Sequence, residues 1–251
     1  LIYAKSGITL GDHKRSLLTG RLNKELKLHG FDNYTDYYHY VVNDSTGQAL
    51  NRLIESISTN LTFFWRENDH FKFFAEVALP EIAAMLRKEK KQDIRIWCAG
   101  CSTGEEPYTL AMLLCEYFGV DIHNWDVGVL ATDISDRVLE TAKKGMYSDE
   151  NIEKLPSRLR NMYLGREGEL SWTVRENVRN MVLFRKLNLM REEFPFRKRF
   201  HIIFCRNVMI YFDESVRTAL VNRFFRCTEP GGYLFIGHSE SLRREGCPYA
   251  Y

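Results

Sequence analysis

The sequence predicts an α/β protein in which a small all-α domain precedes a mostly parallel sheet. Roughly the first 85 residues show helical periodicity and few strand signals, whereas from Ile94 onward apolar strands alternate with amphipathic helices. The charged run 87–91 separates the two patterns, so we expect domains at residues 1–85 and 86–251. A segment at about 162–182, punctuated by Gly165 and Gly168, predicts a small antiparallel hairpin inserted into the second domain.

Short helices account for the N-terminal domain. Leu18, Leu22 and Leu26 recur every four residues after a helix cap at Gly11-Asp12, and Gly30 ends this helix. Its flank carries three basic side chains, Lys14, Arg21 and Lys24, which are most simply interpreted as a solvated surface. Further helices are predicted at 34–42, 47–56 and 69–90, the last of them kinked or broken at Pro80.

Five strands are predicted in the second domain, at 94–98, 126–131, 182–185, 201–205 and 233–237. The fourth is apolar at each of Ile202, Ile203 and Phe204, which is typical of a strand buried on both faces of a parallel sheet. A helix that closes at Gly145 and another at about 214–227 supply crossover connections.

A loop of small residues, 100–104, follows the first strand and leads into a helix near Pro107. Nucleotide-like ligands bind at this place in α/β sheets. The loop lacks the Lys and Ser/Thr of a P-loop, and Glu105 and Glu106 stand where a phosphate would otherwise bind. Two carboxylates would repel a pyrophosphate and favour a positively charged ligand with hydroxyl groups, such as S-adenosylmethionine.

Polar residues follow two further strands. Asp133, at the end of the second strand, suits the hydroxyls of a ribose, although it could instead cap the next helix in competition with Ser135. Cys205 to Phe212 directly follows the buried fourth strand, where α/β sheets place their sites. The segment Thr59 to Glu67 closes the helical part; its aromatics are most simply core residues.

Composition excludes several classes. No apolar run approaches the roughly 18 residues of a membrane span, and the first residues lack the apolar core of a signal peptide, so we expect a cytoplasmic protein without membrane insertion. A net charge of +2 with a pI of about 8.2 argues against a nucleic-acid partner. Six irregularly spaced cysteines do not form a disulfide framework, and Cys98 and Cys101 have no second pair to complete a zinc site, so no metal is expected.

One competing motif is present. Residues 100–104 match G-x-S-x-G, the nucleophile elbow of α/β-hydrolases, and Asp133 and His238 follow Ser102 in the order of a catalytic triad. No strands precede the motif, however, and Asp133 ends the very next strand, which is early for the acid of that fold. The hydrolase is therefore the less favoured interpretation.

Several sequence blocks together resemble the chemotaxis receptor glutamate methyltransferases of the CheR type. They are Thr59–Glu67, Trp97–Ala111, Ala131–Ile134, Asn188-Leu189, Phe204–Phe212 and Gly237–Glu240. The resemblance spans almost the whole chain. It implies a Rossmann-like class I methyltransferase domain, with a mixed, mostly parallel sheet, behind the helical domain. It also implies transfer of methyl from S-adenosylmethionine to glutamate side chains of chemotaxis receptors, giving S-adenosylhomocysteine.

The resemblance also implies roles for single residues. Asn60, Thr62 and Arg66 would line the pocket for cofactor and substrate, and Arg206 and Asn207 would complete its floor. Toward the cofactor, Glu106 would hold the methionyl end and Asp133 the ribose. Asn188 and Leu189 would border the adenine. Arg66 and Tyr211 would face the substrate carboxylate as catalytic residues.

The chain departs from the family pattern at the predicted hairpin. Residues 164–170 are shorter than in members that dock a receptor's C-terminal pentapeptide, so we expect action on the methylation helices of receptors without that pentapeptide. We also expect a monomer. Two other classes stay open at this point: a methyltransferase-like module that binds receptors without turnover, and an RNA methyltransferase, which the modest net charge disfavours.

Overall fold

The computed structural model describes residues 1–9, 15–57, 61–243 and 245–250, and the side chains of 15–17 are not among those described. The N-terminal part contains α1 (Ile2–Ser6), α2 (Arg15–His29), α3 (Tyr34–Asn43) and α4 (Gln48–Ile57). The predicted cap at Gly11-Asp12 lies outside the described residues. These helices enclose their own small core, formed by Leu26, Tyr37, Val41, Ala49, Leu53 and Ile57.

The next helical segment packs against the sheet. It runs through α5 (Asn68–Phe73), a π-helical turn (Phe74–Ala78) and α6 (Leu79–Lys88). The break predicted at Pro80 takes the form of this wider turn, because Pro80, in the first turn of α6, has no N–H to give to an i−4 carbonyl. Large side chains from all three pieces join the main core of the α/β part: Phe71, Phe74, Leu79, Ile82 and Leu86. The domain boundary at residue 85 stays a prediction.

The central sheet confirms the predicted parallel architecture. Its strands are β1 (Asp93–Ala99), β2 (Asp126–Asp133), β6 (Val182–Lys186), β7 (Phe200–Cys205) and β8 (Thr228–Ile236), in the order β6-β2-β1-β7-β8. Every pairing among the described strands of this sheet is parallel. Strand β8 begins earlier than predicted, since Thr228 pairs with Phe200 and the Pro-Gly-Gly that follows is an irregularity within the strand, not a turn before it.

Helices cover both faces of the sheet. They are α7 (Glu105–Phe118), α8 (Asp136–Lys144) and α12 (Glu214–Cys227). One 3-10 turn, Gly119–Asn124, connects α7 to β2, and another, Met209–Tyr211, lies between β7 and α12. Alternate residues of β1 point to opposite sides: Ile96 and Cys98 enter one core cluster, and Trp97 and Ala99 enter the other. Burial on both faces explains why the strands are continuously apolar.

The inserted subdomain contains the predicted hairpin and one more strand. It comprises β3 (Met146–Ser148), α9 (Asp149–Ile152), α10 (Ser157–Tyr163), β4 (Leu164–Glu167), β5 (Ser171–Val174) and α11 (Glu176–Arg179), with the antiparallel order β3-β5-β4. Tyr147 in β3 is buried; its hydroxyl donates to the carbonyl of Thr103 at 2.7 Å. The insertion is thereby fastened to the glycine loop. No helix within the described ranges is long and apolar enough to cross a bilayer.

Candidate functional site

A cavity of about 330 Å³ lies at the carboxyl ends of the central strands. Among its lining residues are all but one of the predicted site residues: Thr62, Arg66, Glu106, Asp133, Asn188, Leu189, Arg206, Asn207 and Tyr211. The exception, Asn60, lies outside the described residues. Side chains spread over 150 positions of sequence thus meet in one place, as the carboxyl ends of neighbouring parallel strands require.

The glycine loop forms one wall. The N–H groups of Gly100 and Cys101 both donate to the carbonyl of Thr132, at 2.8 and 2.9 Å, which ties the loop to the end of β2. Gly100 has φ 85°, and a Cβ there would lie 2.4 Å from Cγ2 of Val208. Only glycine allows the loop to lie this close to the segment after β7.

Asp133 is bound by the backbone of two loops. Its Oδ2 accepts from the N–H of Ser102 at 2.9 Å and its Oδ1 from the N–H of Ser135 at 3.0 Å, while burial raises the pKa of the carboxyl. Each carboxylate oxygen can accept a further bond. The side chain of Ser135, not Asp133, caps α8 by accepting from the N–H of Val138. Asp133 is therefore available for ligand hydroxyls.

The two acidic residues that begin α7 face different ways. Glu105 is 1% exposed and accepts from the Thr103 hydroxyl and from Nδ2 of Asn151, so it joins the helix to the inserted subdomain. Glu106 lines the cavity. The prediction that both carboxylates face the ligand is therefore wrong for Glu105: within the described residues, Glu106 alone of this pair contributes to the cavity wall.

Arg206 is held among acids and carbonyls under the cavity. Its Nη1 donates to Oε2 of Glu106 at 2.7 Å, and its Nη2 donates to Oε2 of Glu67 at 3.2 Å and to the carbonyl of Arg66. The side chain is 2% exposed, and the guanidinium lies 5.1 Å from the ring centre of Phe71. With its charge balanced by two carboxylates, Arg206 does not make the site attractive to phosphate, and the cavity keeps an acidic character.

Arg66 and Tyr211 line the same cavity from different segments. Nη1 of Arg66 donates to the carbonyl of Leu61 at 2.7 Å, which leaves other N–H groups of the guanidinium for a ligand. Tyr211 closes the 3-10 turn after β7, and its carbonyl accepts from the N–H of Thr9 at 2.8 Å.

The N-terminal segment covers part of the cavity, which the sequence did not predict. Ser6 and Ile8 line it, and Ile8 forms a β-bridge with Phe212. Nδ2 of Asn188 donates to the carbonyl of Lys5 at 2.7 Å. No local pattern marks these residues, because their contacts join positions almost the whole chain apart.

Two residues that hydrogen-bond to the cavity wall were also missed: Glu67 and Glu240. Glu240 is buried, and its carboxylate accepts from the backbone N–H groups of Asn207, Ile210 and Gly237. It thereby shapes the turn that carries Asn207 and Tyr211. Both acids stand in blocks that carry the family resemblance, and this was the available signal.

The alternatives based on Ser102 and on the cysteines find no support in the geometry. Asp133 binds backbone N–H groups of Ser102 and Ser135, whereas the ring of His238 contacts His70, with 4.6 Å between ring centres. These residues are not arranged as a triad. Cys98 donates through Sγ to Glu106, and burial raises the pKa of both thiols of the C-x-x-C pair, so neither is prepared for redox chemistry or metal binding.

The cavity fits S-adenosylmethionine chemically. It offers the carboxylates of Glu106 and Asp133, a tight loop of small residues and an apolar border at Leu187 and Leu189, and its buried arginine is already paired. Such a wall suits a cationic ligand with hydroxyls and an adenine ring, and no phosphate.

Comparison with known proteins agrees with this. The family model "CheR methyltransferase, all-alpha domain" matches residues 1–58, and "CheR methyltransferase, SAM binding domain" matches residues 60–248. A chemotaxis protein methyltransferase of Borreliella burgdorferi is 45% identical over 243 residues, 97% of this chain and 86% of that protein. One from Escherichia coli K12 is 36% identical over 245 residues, covering 96% and 82%.

Solved structures match more distantly. The CcbJ methyltransferase of Streptomyces caelestis aligns with a TM-score of 0.38 and 16% identity, over 65% of this chain and 51% of that one, which is too remote to carry an argument. The assignment comes from the sequence relatives and the two family models, which together cover almost every residue. The chain belongs to the CheR methyltransferase family, and its larger part is that family's S-adenosylmethionine-binding domain.

Proposed function

We propose that this methyltransferase transfers methyl groups to glutamate side chains of chemotaxis receptors, forming methyl esters. The observation that carries the proposal is the composition of one cavity wall. Arg66 and Tyr211, which suit a carboxylate, line the same cavity as Glu106 and Asp133, which suit the cofactor. The relatives named as chemotaxis protein methyltransferases support receptors as the substrate class. The enzyme would act as a monomer in the cytoplasm.

Each lining residue has a proposed task toward the cofactor. Glu106 would receive the ammonium of the methionyl end and Asp133 the ribose hydroxyls, while Asn188 and Leu189 would border the adenine. Thr62, Arg66, Arg206 and Asn207 would complete the enclosure, and the resemblance assigns Asn60 to it as well. Arg206 would act mainly by holding Glu106 in place, since their ion pair is buried.

The chemistry requires orientation and no proton transfer. S-adenosylmethionine supplies an electrophilic methyl group on a sulfonium; when the ester O–C bond forms, the S–C bond breaks and its electron pair stays on sulfur. A glutamate carboxyl has an ordinary pKa of about 4.3, so the nucleophile is already ionised at neutral pH. The protein must therefore align the carboxylate and exclude water.

Arg66 and Tyr211 would perform this alignment. A charge-assisted bond from the Arg66 guanidinium and one from the Tyr211 hydroxyl could hold one carboxylate oxygen while the other attacks. Strong binding of the attacking oxygen would lower its reactivity, because only interactions that strengthen in the transition state raise the rate. Two donors on the non-attacking oxygen satisfy this condition.

The test is transfer of labelled methyl to receptor cytoplasmic fragments, with release of methanol by base as the signature of an ester. We expect Arg66→Ala to lower kcat about 100-fold and Tyr211→Phe about 10-fold, since both lose a hydrogen bond to the carboxylate and Arg66→Ala also loses a positive charge, while most cofactor affinity is kept. Arg158→Ala, at a side chain that is 74% exposed, is the matched control. Normal transfer by Arg66→Ala would contradict its role, and base-stable label would contradict the substrate.

The inserted subdomain supports a second part of the proposal, independence from a receptor's C-terminal pentapeptide. Strands β4 and β5 have four residues each and are joined by only Gly168, Glu169 and Leu170. The family resemblance implies a longer hairpin in members that dock the pentapeptide. We expect kcat/KM for full-length and tail-less receptors to agree within about twofold, which is less than one neutral hydrogen bond provides. A large loss on removing the tail would refute tail independence.

A further inference from the structure

Glu67 has no assigned task, yet its carboxylate joins its own segment to two others beside the cavity, at Arg206-Asn207 and at His238. Its Oε1 accepts from Nδ2 of Asn207 at 2.9 Å, and its Oε2 accepts from Nη2 of Arg206 at 3.2 Å and from the N–H of His238 at 3.1 Å. Burial opposes ionisation of this carboxyl, but the bonds from Asn207, His238 and Arg206 outweigh it and lower its pKa to about 2. At neutral pH, Glu67 can therefore only accept hydrogen bonds.

The Glu67 carboxylate determines which of the two polar atoms of the Asn207 amide, Oδ1 or Nδ2, faces it. Because a carboxylate has no proton to donate, Asn207 must turn its NH2 toward Glu67. The backbone of Gly237 packs closely against the same nitrogen, since a Cβ on Gly237 would lie only 2.6 Å from Nδ2. The main chain of Asn207 is also fixed, in the left-handed region at φ 58°, and its N–H donates to Glu240.

With Nδ2 turned to Glu67 and Gly237, the amide oxygen is the polar atom that Asn207 can offer to the cavity it lines. We infer that Glu67 is a positioning residue of the cofactor site, which fixes the Asn207 amide so that Oδ1, and not the NH2, faces the bound cofactor. The inference rests on the proposed place of the cofactor beside Asn207. S-adenosylmethionine carries a sulfonium and an ammonium against one carboxylate, so it is cationic overall, and an oxygen beside either cationic group attracts it where an NH2 would repel it.

The substitution Glu67→Gln reverses this orientation without leaving a bond unmade. The new amide oxygen would accept from Arg206 and His238, which are both donors. Its NH2 would then face Asn207, and Asn207 would have to turn Oδ1 toward it and its own NH2 toward the cavity. The fold is kept, but the cofactor would then face the NH2 of Asn207, a donor, in place of its Oδ1, an acceptor.

A double-mutant cycle with Asn207→Ala tests whether Glu67 acts through this amide. Affinity for S-adenosylmethionine is measured by titration calorimetry on the full chain, with Tm as the control for folding. We expect Glu67→Gln to weaken binding about 10-fold in the native background and less than about twofold beside Asn207→Ala, where no amide remains to reverse. The change in affinity that Glu67→Gln causes beside Asn207→Ala also measures the effect of removing the negative charge of Glu67 alone. Equal factors in both backgrounds would overturn the inference.

The double change Glu67→Gln with Asn207→Asp supplies a rescue. The glutamine NH2 would donate to the new carboxylate, which presents oxygen toward the cavity in any orientation. We expect affinity to return to within about threefold of the native value, because acceptor geometry and total charge are both restored. Affinity no better than that of Glu67→Gln alone would overturn the inference.

Failure of the proposed function gives a different pattern. If the cycle and the rescue behave as expected but receptors are not methylated, the substrate assignment is wrong and the role of Glu67 stands. If Asn207→Ala binds the cofactor as tightly as the native chain, the placement of Asn207 and the role of Glu67 both fall.

Discussion

Asp133 gives the most direct prediction at the scale of single residues. Asp133→Ala removes the carboxylate proposed for the ribose, and losing that bidentate contact should cost about 1.5–3 kcal/mol, or roughly 10- to 150-fold in cofactor affinity. Titration calorimetry checks this. The control is Asp136→Ala, whose 65% exposed side chain pairs with Lys186 nearby. Affinity that is unchanged in Asp133→Ala, with native circular dichroism, would remove the ribose assignment.

Local patterns identified the residues that end strands but not those that support them. Asp133 and Arg206 could be placed because each follows an apolar strand, and strand ends meet at one edge of a parallel sheet. Glu67 could not, since its partners Asn207 and His238 lie 140 and 171 positions away and its own segment has no strand or helix periodicity. Long-range hydrogen bonds leave no spacing to detect.

At the scale of elements, β7 carries a buried histidine that makes stability depend on pH. His201 is 2% exposed, and its Nδ1 accepts from the N–H of Arg95 in β1 at 3.1 Å. Burial, with Arg95 nearby, lowers its pKa from 6.5 to about 4. The unfolded chain therefore takes up the proton first as the pH falls, so the stability that neutral His201 provides is present above pH 6.5 and is lost between about pH 6.5 and 4.

We expect acidification from pH 7 to pH 5 to cost at most about 2 kcal/mol through this residue. Urea unfolding at the two pH values measures the loss, and His201→Gln, which keeps an acceptor for Arg95 but does not titrate, should show a shallower pH dependence by that amount. His39→Gln, at an exposed position, is the control. The same slope in the native chain and in His201→Gln would show that another group is responsible.

Elements were predictable where their pattern was long enough. The strands β1, β2, β6 and β7 were found from apolar runs, and α12 was found with its observed bounds, Glu214–Cys227. Strand β3 was missed because three residues show no period, and its position depends on Tyr147 packing against Phe64, with 4.8 Å between the rings. The π-helical turn before Pro80 shows that proline predicts an interruption but not its form.

At the scale of the whole molecule, the start of the chain meets the turn after β7 beside the cavity. The hydroxyl of Tyr3 donates to Asp213 at 2.6 Å, and the Ile8–Phe212 bridge lies between the N-terminal segment and the turn after β7. These contacts connect the helical domain directly to the turn after β7, which lines the cavity. A receptor helix that contacts α2 would therefore stand close to the segment that covers the cofactor cavity.

The basic flank of α2 has a different composition from the one predicted. Lys14 lies outside the described residues, and Arg21 is half-buried, its Nη1 donating to the carbonyl of Ile57 at 2.6 Å, so it fastens α2 to the end of α4. Lys24 and Lys27, one turn apart, are exposed. Arg21 thus has a structural contact, and among the described side chains of this flank the charges available to steer a receptor helix are those of Lys24 and Lys27.

Reversing Lys24 and Lys27 to Glu should therefore slow methylation without unfolding the domain. Exposed charges act mainly on the encounter rate, so we expect kcat/KM to fall about fivefold at low salt and less than twofold at 0.5 M salt, where screening is strong. Lys88→Glu with Lys144→Glu, an equal charge change at other exposed sites, is the control. Arg21→Glu should instead lower Tm, because it breaks the bond to Ile57. If the α2 reversal is no slower than the control at low salt, the flank is only a solvated surface.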